Sequence, residues 1–213
     1  MPSPLEKLKR LFQPRPVRYT GHALYSSCVA QSRQPIFYKD YGIEDAIGAR
    51  FELLTFHVAL VIHALKALPA GDARRDQAQD TAQALFDTFV DALDNTLREQ
   101  GTGDLTVPKK MKKLGEVIYT RMKRWDELWA SGSDEDRAGY ASRTLFAGSA
   151  FDGADDAEGS DGAPNAGLLI KASAFATYAD TARGGLDVDA ILNGRLDWCA
   201  IPGLDAAESA GAA

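Results

Sequence analysis

The most constraining feature of this sequence is the apolar stretch at residues 43–68, which reads IEDAIGARFELLTFHVALVIHALKAL. Large apolar residues recur in it at steps of three and four, the spacing of one face of an α-helix. That face consists of Ile47, Phe51, Leu54, Val58, Val61 or Ile62, and Leu65. Leu53, Phe56 and Leu60 make the other faces apolar as well. Because a helix that is apolar around most of its circumference lies inside a bundle, the sequence predicts an all-α fold: a single helical bundle around this central apolar helix.

A second helix with a basic outer face is predicted to begin near Pro108, a residue that suits the first turn of a helix. Before it, Gly101 and Gly103 suit the turn that ends the preceding helix. Its apolar stripe is Met111, Leu114, Val117 or Ile118, and Met122. Its basic residues, set against the single acid Glu116, are Lys109, Lys110, Lys112, Lys113, Arg121, Lys123 and Arg124. A solvated helix face normally mixes its charges, so we predict that these seven residues form a docking face for a negatively charged partner.

The rest of the chain divides into segments of different composition. Residues 1–18 form a basic amphipathic segment and linker, which either docks loosely or lies on a membrane surface. Residues 19–147 form the main helical domain, with a packed loop expected at residues 36–38, after Pro35 breaks a helix. Residues 148–167 form a flexible acidic loop rich in Gly, Asp and Ala. A pair of C-terminal helices is expected within residues 168–202, and a disordered tail at residues 203–213.

Composition limits the kinds of partner and compartment. The 213 residues carry a formal net charge of -6 and a pI of about 5.1, so bulk charge does not indicate a DNA-binding protein. The two cysteines, Cys28 and Cys199, form no metal-binding or disulfide pattern and are expected to be reduced. No uninterrupted apolar run reaches the length of a membrane span. We therefore expect a cytoplasmic protein that is at most peripheral to the inner membrane.

The titratable residues do not suggest a reaction centre. His57 and His63 are six positions apart on opposing faces of the predicted helix, so they cannot bind one metal together, and His57 is expected to be a buried histidine with its hydrogen bonds satisfied. No nucleophile–base set, phosphate-binding loop or zinc motif is present. One enzymatic alternative remains, a helical-bundle metalloenzyme that uses Glu52, His57, Asp87 and Asp91, although the Glu-x-x-His step typical of such sites is missing. No cofactor is predicted.

Several separated motifs resemble one protein family, in the right order over about residues 20–150. The most specific are RFELL-x-x-H at residues 50–57 and LRE-x-G-x-GDL-x-VPK-x-MK at residues 97–112. They resemble the ubiquinol–cytochrome c chaperone family. The chain departs from the family pattern at residues 118–121, where Ile-Tyr-Thr-Arg stands in place of an aromatic-Tyr-Gly-Arg ending. The alanine-rich composition and short N-terminus suggest a bacterial member.

The resemblance implies a non-enzymatic assembly chaperone for the ubiquinol–cytochrome c reductase complex (complex III) of the respiratory chain. Its client would be newly synthesised cytochrome b, and a small partner assembly factor is a further candidate partner. We expect the client to contact apolar and aromatic residues of the two central helices, namely Phe51, Leu54, His57, Tyr119 and Trp125. The basic helix would meet either the ribosome or an anionic membrane surface. The main alternative is a ribosome- or RNA-binding module without a client.

Overall fold

The computed structural model describes residues 16–146 and 166–204, and within these two ranges the chain forms helices and connecting turns without a β-strand. This confirms the predicted all-α fold. The helices are α1 (Pro16–Ser32), α2 (Pro35–Lys39), α3 (Ile47–Lys66), α4 (Arg75–Glu99), α5 (Val107–Ser131), α6 (Asp134–Ala141), α7 (Ala166–Gly185) and α8 (Val188–Leu192), with a π-helical turn at Ser142–Phe146.

Helix α3 is the central apolar helix. It is long and apolar enough to cross a membrane, but 72% of its most apolar window is buried inside the protein. Even the polar side chains Glu52, Thr55 and His57 are buried within it. It begins at Ile47, later than the predicted start at residue 43, because Ala46 before it is extended.

Two apolar clusters use different faces of α3. In the first, α3 packs with α1, α4 and α5 through residues such as Leu24, Val61 and Phe89. In the second, α3 packs with α2, α5 and α7, and its centre is aromatic. Phe56 lies there with its ring centroid 4.9 Å from that of Phe175. Burial of this much apolar surface on both sides of one helix is the main stabilising contribution to the bundle.

Several local predictions need correction. Residues 35–39 form the short helix α2, not a loop, because Pro35 occupies the first turn, where its missing N–H is not needed. Likewise Pro16 begins α1 instead of belonging to a linker. Gly101 has the expected positive φ of 78°, whereas Gly103 acts through its carbonyl, which accepts hydrogen bonds from the next turn.

The C-terminal helix pair is present as α7 and α8, with Asp187 capping α8 through a hydrogen bond from the backbone N–H of Asp189. Helix α8 ends at Leu192, well before the end of the predicted segment at residue 202. The predictions for residues 1–15, for most of the acidic loop at 148–167 and for the tail from residue 205 lie outside the described residues.

Helices α1 and α4 approach closely at a glycine. A Cβ atom on Gly21 would lie 2.7 Å from both the carbonyl carbon and the oxygen of Ala84. No such neighbour lies within 4 Å of the equivalent position at Gly115, on the exposed side of α5. The two glycines therefore have different roles, although both lie inside helices.

The substitution Gly21→Ala is expected to destabilise the protein by about 1–3 kcal/mol, because backbone atoms of α4 must move to admit the methyl group. The matched substitution Gly115→Ala should stabilise it by about 0.5–1 kcal/mol through helix propensity alone. Urea unfolding followed by circular dichroism measures both. Equal shifts in the two variants would show that α1 and α4 are not in contact at Gly21.

Candidate client and docking surfaces

The basic side chains of α5 form one group at its N-terminal end and a second group farther along the helix. In the N-terminal group, Lys109, Lys110 and Lys112 face solvent and Lys113 is half-buried. The ammonium of Lys110 lies 3.4 Å from the hydroxyl of Thr102 in the preceding turn, a neutral contact that leaves its charge uncompensated.

The remaining basic residues of the predicted docking face have acidic partners. Lys123 lies 3.9 Å and Arg124 3.1 Å from the carboxylate of Glu127 on the same helix. Arg121 points inward and binds Glu52 on α3. The seven residues thus do not form one uniform face, and Arg121 in particular is directed at the protein interior.

Glu52 and Arg121 form a two-point ion pair between α3 and α5. Nε and Nη2 of Arg121 donate to the two carboxylate oxygens of Glu52 at 2.9 and 3.0 Å. The side chains are 3% and 15% exposed. Burial alone would lower the pKa of Arg121, but the hydrogen bonds and charge of Glu52 outweigh it and hold the pKa above its usual value. The pair ties the basic helix to the central helix in a fixed rotation.

The structure brings only part of the predicted client-binding set to the surface. Phe51, His57 and Trp125 are 4%, 0% and 3% exposed. Leu54 is half-buried against the first apolar cluster. Tyr119, by contrast, is 69% exposed on the outer side of α5. In this conformation a client can therefore reach Tyr119 and an edge of Leu54, while the other three residues pack the core beneath.

His57 is a buried histidine with both ring nitrogens engaged, as the sequence predicted. Its Nδ1 lies 2.7 Å from the carbonyl oxygen of Leu53, which can only accept, so Nδ1 carries the proton. Nε2 is then an acceptor and receives the hydroxyl proton of Tyr178 at 2.8 Å. The Gln31 amide in turn donates to the Tyr178 oxygen at 2.9 Å. The three side chains connect α1, α3 and α7 in a single arrangement of donors and acceptors.

This arrangement favours a neutral imidazole. Burial lowers the pKa of His57 to about 4, although the hydrogen bond to the Leu53 carbonyl opposes the shift. Burial also raises the pKa of Tyr178. Since neither group ionises near neutral pH, the network is built to position helices and is poorly suited to transfer protons.

The four residues of the metalloenzyme alternative do not form one site. Glu52 binds Arg121, His57 binds Tyr178, and Asp87 accepts a hydrogen bond from Gln83. Among residues 16–146 and 166–204, no group of three or more His, Cys, Asp or Glu side chains could hold a metal ion. Both cysteines are free thiols, and burial raises the pKa of Cys28.

Sequence reasoning missed two features. The first is Tyr178, on the alanine-rich helix α7, which the sequence analysis did not single out. Small residues instead let α7 pack closely, so that Phe175 and Tyr178 are fully buried. The second is Leu105, which is 97% exposed in the turn between α4 and α5. An isolated leucine in a polar turn was the available signal for that position.

The comparisons with known proteins agree with this architecture. The family model described as ubiquinol-cytochrome C chaperone matches residues 39–198, about three quarters of the chain. This chain belongs to the ubiquinol–cytochrome c chaperone family. The matched region extends from the end of α2 through α8, so it includes the central helix α3 and the His57–Tyr178 hydrogen bond, while α1 lies before it.

A solved structure supports the fold of this family member. The crystal structure of the Cbp3 homolog from Brucella abortus aligns with a TM-score of 0.67 at 22% sequence identity, covering 92% of this chain and 97% of that chain. At this level of identity the likeness concerns the fold. No curated protein matches the chain.

Proposed function

We propose that this family member is a non-enzymatic chaperone that binds newly synthesised cytochrome b and promotes assembly of the ubiquinol–cytochrome c reductase complex. The observation that carries the proposal is the family match over residues 39–198. The protein acts in the cytoplasm and at the inner membrane, where cytochrome b is inserted, and a small partner assembly factor joins it there.

The use of its buried polar groups supports a binding role. Glu52 is occupied by Arg121, and His57 by Leu53 and Tyr178. Each of these contacts joins different helices or fixes one side chain, and so holds the surface of the bundle in place. A chaperone requires such a fixed surface, since a preorganised site loses less entropy when the client binds.

The client-contact surface that we propose is the outer side of α5 around Tyr119. It also includes the exposed edge of Leu54, which packs against the first apolar cluster. An exposed tyrosine contributes a large contact area at a low cost in conformational entropy. Phe51 and Trp125 act from the core by fixing the positions of α3 and α5, and His57 acts by fixing α3 against α1 and α7. Client specificity would then reside in the exposed side chains and bundle rigidity in the buried ones.

Deletion of the gene in its native host is expected to deplete cytochrome b, while unrelated membrane proteins accumulate normally. Immunoblots and haem spectra of isolated membranes measure this. Re-expression of the wild-type chain should restore cytochrome b. Unchanged cytochrome b in the deletion strain would refute the proposed function.

The contact surface can be tested separately with a photo-crosslinking amino acid at Tyr119. During cytochrome b synthesis this position should crosslink to the client. The matched control is Tyr19 on α1, which is 77% exposed but lies away from α5. If Tyr19 crosslinks to cytochrome b as strongly as Tyr119, the proposed surface is wrong even where the deletion phenotype is present.

A further inference from the structure

Leu105 is displayed at the tip of a folded turn. Of the exposed large apolar side chains in the described ranges, it has the highest exposed fraction, 97%. The backbone N–H groups of Thr106 and Val107 donate to the carbonyl oxygen of Gly103 at 2.7 and 3.2 Å. Val107 is fully buried directly behind it. Leu105 is therefore held out into solvent by ordered backbone, at the cost of leaving its whole side chain in water.

Four lysines lie four to eight residues after Leu105, at the N-terminal end of a helix, where positive charge is unfavourable. Lys109, Lys110, Lys112 and Lys113 occupy the first two turns of α5, whose first turn contains no acid. The helix dipole disfavours cations at this end. Neither Lys109 nor Lys112 forms an ion pair with a residue in the described ranges. The nearby acid Asp104 is bound to Arg98 at 2.7 Å. Lys109 and Lys112 thus reduce the intrinsic stability of α5, which points to an external anionic partner.

We propose that the α4–α5 corner, defined as Leu105, Lys109, Lys110 and Lys112, docks on an anionic lipid bilayer. Leu105 would enter the interface between headgroups and acyl chains. The lysines would lie above the lipid phosphates, with their aliphatic stems along the interface. Each contribution is small, so docking is reversible and strongly dependent on salt.

The combination of groups favours lipid over RNA. Both partners reward lysine clusters, but proteins that bind single-stranded RNA gain further affinity by stacking bases on aromatic rings. The corner offers an aliphatic side chain instead, which gains free energy on leaving water for hydrocarbon. The net charge of -6 repels the remainder of the protein from an anionic surface. The corner would therefore also orient the molecule, with the N-terminal end of α5 toward the bilayer.

The proposal does not depend on the identity of the client, because the purified full-length chain and vesicles suffice to test it. A flotation assay compares vesicles of phosphatidylcholine and phosphatidylglycerol with vesicles of pure phosphatidylcholine, because lysines gain free energy only near an anionic surface. Binding to the anionic vesicles only, and its loss at high salt, is the expected result.

Variants assign the binding to the corner. Lys109→Gln/Lys112→Gln should weaken binding about thirtyfold, since each lysine near an anionic surface contributes about fivefold. Leu105→Ser should weaken it about tenfold with an unchanged salt dependence. The matched controls are Lys39→Gln/Lys66→Gln and Leu169→Ser, which alter exposed residues elsewhere and should bind as wild type does.

Three results would overturn the proposal. The first is absence of binding to anionic vesicles. The second is vesicle binding that the corner variants leave at the wild-type level, which would place the contact elsewhere. The third is a corner that binds structured RNA in a lysine-dependent way while Leu105→Ser has no effect on any partner, which would make it an RNA-binding surface. A normal cytochrome b phenotype in the deletion strain would leave the vesicle result unaffected, so the two proposals fail independently.

Discussion

Replacement of Glu52 by leucine is expected to destabilise the bundle by about 3–5 kcal/mol, because the guanidinium of Arg121 stays largely buried after its carboxylate is removed. The side chain of Arg121 is 15% exposed, and both of its hydrogen bonds to Glu52 would be lost. Leucine suits a buried site, so the loss of stability would come from the unpaired guanidinium of Arg121 and not from burial of a polar side chain at position 52. Urea unfolding at pH 7 gives the change in the free energy of unfolding.

A double variant separates the charge from the packing. Glu52→Leu/Arg121→Met removes both charges and should regain most of the stability lost in the single variant, as buried ion pairs replaced by apolar residues often do. The matched surface variant is Asp45→Ala, which removes the exposed partner of Arg50 and should change stability little. If Arg121→Met simply adds its own loss to that of Glu52→Leu, the two residues do not interact as the structure indicates.

The same ion pair shows where sequence reasoning about α5 ended. The apolar stripe could be predicted because it depends only on spacing within one helix, and Leu114 and Ile118 are indeed buried. The direction of Arg121 could not, since it depends on Glu52, 69 positions earlier in the chain. A count of basic residues does not distinguish a cation that faces solvent from one that an interior carboxylate holds. Lys109 and Lys112 form no ion pair with a described residue, which is why the N-terminal end of α5 remains the candidate docking surface.

The client-binding prediction met a related limit. Phe51, His57 and Trp125 were selected for their residue types, but large aromatic and apolar side chains are also those that a bundle buries first. Exposure distinguishes the two uses, and it depends on how helices distant in sequence cover one another. Helix α7 illustrates this, because its Phe175 packs on Phe56 of α3 although its alanine-rich sequence carries a weak signal. Tyr119 is likewise exposed because none of the described helices covers that side of α5.

Acid is expected to weaken the bundle through His57 in a predictable pH window. The pKa of this imidazole is about 4 in the folded protein and about 6.5 in an unfolded chain. The unfolded chain therefore takes up a proton first as pH falls. The stability associated with a neutral His57 is complete above pH 6.5 and is lost progressively down to pH 4. Between pH 7 and pH 5 this residue should account for a loss of about 2 kcal/mol in the free energy of unfolding.

A variant is needed to isolate the contribution of His57, and His57→Gln provides it. His57→Gln keeps His22, His63 and every carboxylate, so the difference between its unfolding free energies at pH 7 and pH 5 should be about 2 kcal/mol smaller than that of the wild type. His63→Gln serves as the control, since His63 is partly exposed beside Asp126, and it should keep the larger part of the wild-type dependence on pH. A protonated His57 would have to give up the hydrogen bond that it accepts from Tyr178, because both ring nitrogens would then be donors. If wild type and His57→Gln lose equal stability between pH 7 and pH 5, the imidazole is not held neutral by burial, and the proton positions assigned to Gln31, Tyr178 and His57 are wrong.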